Sequence, residues 1–222
     1  MIWLFDLDNT LHNASAAIFA EIDNRMRQSI EDLLAIDAAE ADYLRRKYWQ
    51  RYGATLIGLV KHHGVDAADF LHRSHDFNVM EHLHYEKALK PQLQRLPGQK
   101  IILTNAPANY AHRMLRALAI TPLFERVISI EDMQRQQHFR PKPSLQLMQQ
   151  LLAELKVSGP QCWFVDDTLR NLKAAHQLGI KTIHFAHPAT PFSSRYAGRT
   201  PYVDLRVRSI KQLAQNWHQL LS

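Results

Sequence analysis

The chain has 222 residues, enough for one substantial core or one core with an inserted subdomain, and its 46% hydrophobic and 22% charged residues exclude a disordered protein. No stretch approaches the roughly 18 apolar residues of a spanning helix, the apolar N-terminal run is too short and lacks the basic leader of a secretory signal, and the single Cys162 permits no internal disulfide. The net charge of +6 is spread out, with clusters such as Arg45-Arg46-Lys47 alternating with acidic residues, which favours anionic small molecules over a nucleic acid polymer. A cytoplasmic protein with no membrane partner is expected.

In chain order, the first element is the apolar run Ile2-Trp3-Leu4-Phe5, a buried strand that delivers two carboxylates, Asp6 and Asp8, at its end. From about residue 12 to residue 90 no convincing strand occurs. Ile18, Ile22, Met26, Ile30 and Leu33 recur at helical spacing, and Asp66-Ala67-Ala68-Asp69 reads as the start of a further helix. Strands resume at Lys100–Leu103, Val127–Ile130, Cys162–Val165 and Lys181–Phe185. Between them Pro107 opens a helix carrying Tyr110, Met114, Leu115 and Leu118, and Pro143 precedes Leu145, Met148, Leu151, Leu152 and Leu155. Leu169, Leu172, Ala175 and Leu178 run up to Gly179 as a C-cap, and residues 209–221 close the chain as an amphipathic helix.

Short apolar strands alternating with helices predict an α/β fold, a doubly wound, mostly parallel Rossmann-like sheet. The strand-free stretch predicts an all-helical cap over residues 13–90, inserted into a core made of residues 1–12 and 91–222. In an open sheet the crevice lies at the carboxyl ends of the strands, so an insertion leaving the first strand there is a natural lid.

The polar residues converge on that edge. Asp6 and Asp8 follow the first strand, Thr104 and Asn105 the second, and Asp166 and Asp167 the fourth, while Arg140-Pro141-Lys142-Pro143 opens a helix. Four carboxylates with one nearby lysine repel one another unless a divalent cation offsets them, and hard oxygen ligands suit magnesium. Such a metal, with Lys142 and Thr104, forms a site for a phosphoryl group. One Asp then attacks phosphorus, and another protonates the leaving alkoxide and later activates water.

These residues resemble a known family. Asp6-Leu7-Asp8-Asn9-Thr10, then Thr104, Lys142 and Asp166-Asp167, in that order, are similar to the four motifs of the haloacid dehalogenase superfamily of aspartate-nucleophile phosphatases. The resemblance covers essentially the whole chain. It implies Asp6 as nucleophile and Asp8 as general acid/base, and Mg2+ held by the Asp6 carboxylate, the Asp8 backbone carbonyl and Asp166, with Asp167 acting through water. It further implies Thr104 and Lys142 as phosphate holders, Lys142 also tempering repulsion between Asp6 and the incoming anion. Dehalogenases of the superfamily lack the second aspartate, so Asp8 favours phosphate-ester hydrolysis. Within the superfamily, the cap stretch Tyr52-Gly53-Ala54-Thr55-Leu56-Ile57-Gly58-Leu59, Thr104-Asn105-Ala106 and Asp166-Asp167-Thr168-Leu169-Arg170-Asn171 look most like the pyrimidine 5′-nucleotidase subfamily. The expected partner is a small phosphorylated metabolite. Sugar phosphates and phosphoglycolate-like acids are the alternatives, and oligomeric state is not readable.

Several residues carry competing readings. Tyr52 and Gly53 either touch substrate or set helix packing and a turn. Asn105 contacts phosphate or its own loop, and Asn171, one turn past Asp167, orients that carboxylate, a metal-bound water or nothing. Thr10 ties down the loop after the strand through its hydroxyl. The thirteen histidines, including His62-His63 and His75-Asp76, lack the further ligands a phosphohydrolase metal site of the His-Asp type needs. A phospho-accepting receiver domain shares the chemistry, but there the acidic pair comes first and Lys-Pro last, whereas Lys142-Pro143 precedes Asp166-Asp167 here.

Overall fold

The structure is a computed structural model that describes residues 1–135, 138–188, 190 and 200–221. Six strands, β1 (Ile2–Phe5), β2 (Gln99–Leu103), β3 (Arg126–Ile128), β6 (Cys162–Asp166), β7 (Lys181–Phe185) and β8 (Leu205–Val207), form one sheet in the order β3-β2-β1-β6-β7-β8. Every pairing in it is parallel. A separate two-residue hairpin joins β4 (Gln134–Arg135) and β5 (His138–Phe139).

The order explains where a site can form. From β1 the chain moves outward through β2 and β3, and from β6 it moves the other way through β7 and β8. The direction reverses between β1 and β6, which opens a crevice beyond their carboxyl ends. The register pairs Phe5 with Val165, so the next residues, Asp6 and Asp166, leave the sheet side by side.

Parallel strands are covered on both faces, so they read as continuous apolar runs. In β1, Ile2 and Leu4 join Ile101, Leu103, Cys162 and Phe164 in a core completed by Met148, Leu151, Leu172 and Ala175. Those last four come from α7 (Leu145–Leu155) and α8 (Leu169–His176). The alternate residues, Trp3 and Phe5, are also fully buried: Trp3 stacks on Phe5 and meets Trp163 edge-on, with centroids 4.6 Å apart.

The chain divides into two compact units, residues 1–16 with 83–222, and residues 17–82. The stretch after residue 82 is tied to the sheet unit: Asn13 N donates to His84 O at 2.7 Å, and the Glu86 carboxylate accepts from the N–H groups of Ile210 and Lys211. Those amides begin α9 (Ile210–Asn216), so Glu86 satisfies donors that the helix itself leaves unpaired. The remaining helices of this unit are α5 (Leu89–Gln94) and α6 (Ala108–Ala117).

Unit 17–82 is all helical: α1 (Ile18–Leu34), α2 (Ala38–Tyr52), α3 (Thr55–His63) and α4 (Ala67–His75). Asp66 caps α4 by accepting from Asp69 N at 2.8 Å, as its sequence predicts. Gly53 ends α2 in the left-handed region, with φ +82°. Gly58 in α3 lies against Tyr48 of α2, where a Cβ would stand 2.0 Å from the ring's Cγ.

Three expectations change. The third strand ends at Ile128, because Asp132 accepts from both Ser129 N and Ser129 Oγ at 2.9 Å and turns the backbone out of the ladder. The helix before Gly179 ends at His176, and Gly179, with φ +74°, instead makes the turn into β7. The edge strand β8 and the β4–β5 hairpin lack the long apolar run that marks a buried strand, since β8 buries only Val207 fully.

Candidate active site

Asp6 emerges where β1 ends, its backbone N–H bonded to Val165 O at 2.9 Å. Asn9 then takes the left-handed region (φ 61°), and Thr10 and Leu11 bond back to Leu7 O, forming a tight loop. Within it the Thr10 hydroxyl reaches Asp6 Oδ2 at 3.4 Å. Thr10 thus ties the loop to the first carboxylate.

Asp166, the last residue of β6, is fully buried and held on three sides. Thr168 N donates to its Oδ1 at 2.7 Å, and Asn171 Nδ2 lies 3.0 and 2.9 Å from its two oxygens. Asn171 sits in the first turn of α8, so the strand-to-helix turn carries its own anchor. Its amide holds Asp166, not Asp167.

Lys142 links the two strand ends. Its Nζ donates to Asp6 Oδ1 at 2.7 Å and to Asp166 Oδ2 at 2.8 Å, and the side chain is almost wholly excluded from solvent. Asn105 fixes the lysine's backbone from both sides: Asn105 Nδ2 donates to Lys142 O at 3.0 Å, and Lys142 N donates to Asn105 Oδ1 at 2.9 Å. Both ends of the Asn105 amide are therefore spent on the loop. Thr104, buried after β2, accepts from Ala106 N at its own hydroxyl, while its N–H donates to Ile128 O.

Ligand oxygens of Asp6, Asp166 and Asp167 lie within 4.8 Å of one another. Burial pushes the Asp6 carboxyl well above the usual carboxylate range; Lys142 pulls against it, while Asp166 and Asp167 raise it further. Burial, then the Asp166 charge, raises Asp167 to about 7. For Lys142, burial disfavours the ammonium, but Asp166 and Asp6 outweigh it and push the group above its ordinary value. With all three carboxyls ionised, one ammonium offsets one of three negative charges. The remaining deficit, on oxygen donors alone, fits a hard divalent cation such as Mg2+.

The expected fourth carboxylate stands apart from this cluster. Asp8 Oδ1 accepts the Tyr110 hydroxyl at 2.7 Å and lies 2.9 Å from His12 Nε2. Neither residue is among the site candidates that the sequence marks. His12 follows Asp8 by four positions, a detectable spacing, whereas Tyr110 lies 102 residues away and reads only as a buried helix position. Tyr52 belongs to the helical unit, where its hydroxyl lies 2.7 Å from His62 Nε2 and its ring is flanked by the Arg51 and Lys61 cations. His75, suspected for its His-Asp pair, bonds to Ser74. Among the described residues, the three aspartates are the group found with metal-ligand geometry.

The sequence and fold of the chain are similar to those of known proteins. A family model for haloacid dehalogenase-like hydrolases matches residues 2–179. Phosphate metabolism protein 8 of Saccharomyces cerevisiae is 25% identical over 192 residues, which is 81% of this chain and 59% of the yeast protein's length. A phosphatase of the superfamily from Thermococcus onnurineus superposes with TM-score 0.63 at 17% identity, covering 100% of this chain and 97% of that one. The L-2-haloacid dehalogenase of Xanthobacter autotrophicus, solved with chloropropionic acid covalently bound, superposes with TM-score 0.61 at 16% identity, covering 98% of each chain. The fold is therefore shared with proteins named for two different reactions, and the side chains must decide between them. Since the family model spans most of the sequence, the chain belongs to the haloacid dehalogenase-like hydrolases.

Proposed function

We propose that the protein is a magnesium-dependent phosphomonoesterase that works in two steps through an aspartyl-phosphate on Asp6. The observation that carries this reading is the buried Asp6–Lys142–Asp166 array, with Asp167 beside it and a second carboxylate, Asp8, two residues from the nucleophile. In the first step an Asp6 oxygen attacks phosphorus, the bond from phosphorus to the leaving oxygen breaks, and Asp8 gives that oxygen a proton. In the second, water attacks the phosphorus of the aspartyl-phosphate, Asp8 takes its proton, and Asp6 and inorganic phosphate are released.

Asp6, the Asp8 backbone carbonyl and Asp166 are the proposed holders of Mg2+, with Asp167 through water. When bound, the ion supplies the positive charge that three carboxylates and an incoming phosphate lack. Lys142 and Thr104 hold the phosphoryl oxygens, and Asn105 acts by fixing Lys142. The helical unit is assigned the cap role and the reading of the leaving group, with Tyr52 its candidate contact. A pyrimidine nucleoside 5′-monophosphate is the proposed substrate, supported by the motif resemblance.

The test is phosphate release from UMP, CMP, AMP, glucose 6-phosphate, phosphoglycolate and p-nitrophenyl phosphate, each with magnesium and with chelator. Magnesium-dependent release favouring UMP and CMP is expected. Another preference removes the nucleotidase assignment and keeps the mechanism, whereas no release from any ester removes the esterase. Asp6→Asn is expected to lower kcat by at least about 10⁴-fold, by analogy with losses seen when a nucleophile is removed, with the fold retained by circular dichroism. A variant rate near wild type overturns the nucleophile assignment.

A further inference from the structure

In sequence the cluster Arg45-Arg46-Lys47 alternates with acidic residues, but the fold separates the two signs. Arg45 takes both neighbouring carboxylates, Asp23 at 2.6 Å and Asp42 at 3.2 Å. Among the described residues, Arg46, Lys47 and Arg51 of α2 and Lys61 of α3 form no ion pair with a carboxylate, and all four are exposed. Helical spacing gathers the charges: Tyr43, Arg46, Lys47, Gln50 and Arg51 share one face of α2 and line a groove of about 520 Å³.

The same face is aromatic. Tyr43 is 56% exposed and Trp49, three positions after Arg46, is 61% exposed. Lys47 Nζ lies 5.1 Å from the Tyr43 ring centroid. Arg51 and Lys61 flank the Tyr52 ring at 5.5 and 5.6 Å, which carries the cationic face from α2 onto α3. The excess charge is felt at His62, where desolvation first, and then the Lys61, Arg51, His63 and Lys47 charges, hold the imidazole below its ordinary value.

We propose that this face of the helical unit docks single-stranded nucleic acid, with Arg46, Lys47, Arg51 and Lys61 on phosphates and Tyr43 and Trp49 under bases. Charge complementarity calls for an extended anion, because the stretch from Tyr43 to Arg51 runs about 12 Å along its helix. Phosphates in a row replace the counterions that such a face otherwise holds. The rings narrow the choice further. Every base has a π-face to stack on them, whereas in a duplex the bases already stack on one another. A lipid surface needs an apolar face to enter it, and Leu44, the only aliphatic residue of α2 larger than Ala, is buried. The inference is independent of the phosphomonoesterase reading, and its groups lie wholly within the helical unit.

The experiment follows the anisotropy of an oligothymidylate of about twelve nucleotides, labelled at its 3′ end, on titration with the protein in chelator. Its 5′ end is a hydroxyl, so it offers no phosphomonoester and the signal needs no turnover. Between about 50 and 200 mM salt the slope of log affinity against log salt is expected at about −3, the value for about four phosphates neutralised on a single strand. Arg46→Gln and Lys47→Gln should each make that slope shallower by about 0.7. Tyr43→Ala and Trp49→Ala are expected to weaken binding by about tenfold with the slope retained, the loss of one stacked base, and Tyr43→Phe to restore it. All four side chains are exposed, so thermal midpoints should not move.

No binding at about 50 mM salt overturns the proposal. Equal affinity for the duplex with oligoadenylate, with Tyr43→Ala and Trp49→Ala silent, overturns it by leaving charge alone. Capture of the protein by phosphatidylserine vesicles and not by the oligonucleotide reassigns the face to a lipid surface. Binding that survives in the Arg46→Gln, Lys47→Gln double variant and is displaced by inorganic phosphate at constant ionic strength belongs to the acidic crevice, and overturns the proposal as well.

Discussion

At the scale of single residues, the site is governed by one buried ammonium between two carboxylates. Removing one partner of a buried ionic group leaves charge uncompensated, at a cost of about 3–5 kcal/mol. Lys142→Met, which keeps the stem, is therefore expected to destabilise the metal-free protein by that order at pH 7.5. The penalty shrinks at pH 5, where the raised Asp6 carboxyl takes up a proton more readily. Urea melts at the two pH values measure this, and an equal loss at both removes the charge argument. The acidic residues were legible because each terminates an apolar run, which is an unusual place for charge. Asn105 and Asn171 were legible as neighbours of those residues but not in their roles. An amide pairs with whatever backbone or carboxylate the fold brings to it, here Lys142 and Asp166.

At the scale of elements, the helical unit depends on how closely α2 and α3 approach. Gly58 lies where any Cβ meets the Tyr48 ring, and that ring stacks on His62 and sends its hydroxyl to His63 Nε2 at 2.7 Å. Gly58→Ala is expected to displace Tyr48 and cost about 1–3 kcal/mol, the usual penalty of overpacking. Hydrogen exchange should show faster amides in α2 and α3, with β1 and β6 unchanged; uniform acceleration across the sheet overturns the assignment. The boundaries of these helices were readable where a side chain caps them, as Asp66 does for α4. They were unreadable where the stop is a matter of packing, as after His176.

At the scale of the whole molecule, a metal held as proposed competes with protons for one acidic cluster. Asp6 and Asp167 are raised on folding, so each contributes stability that is fully present below the unfolded-state value and is lost as pH rises through the folded one, about 7 for Asp167. Magnesium needs those carboxylates ionised. The rise in melting temperature on adding Mg2+ over chelator should accordingly be small at pH 5 and grow through pH 7 to 8. A rise independent of pH, or absent at pH 8, removes Asp6 as a ligand and Asp167 as its water-bridged neighbour. Among the described residues no helix is long and apolar enough to cross a membrane.

The sequence by itself determined the parallel sheet, the helical insertion and the strand ends that carry Asp6, Asp8, Thr104 and Asp166-Asp167. Those follow from local rules: a strand buried on both faces must be continuously apolar, and a charge at its end marks a mouth. The tertiary structure alone decided that Asp8 leaves the acidic cluster for Tyr110 and His12, that Lys142 bridges Asp6 to Asp166, and that Asn171 serves Asp166. Each of these is a hydrogen bond whose partner is chosen by which elements the fold brings within about 3 Å. Hydrophobic periodicity tells which face of an element is buried, but not which polar atom it will find there.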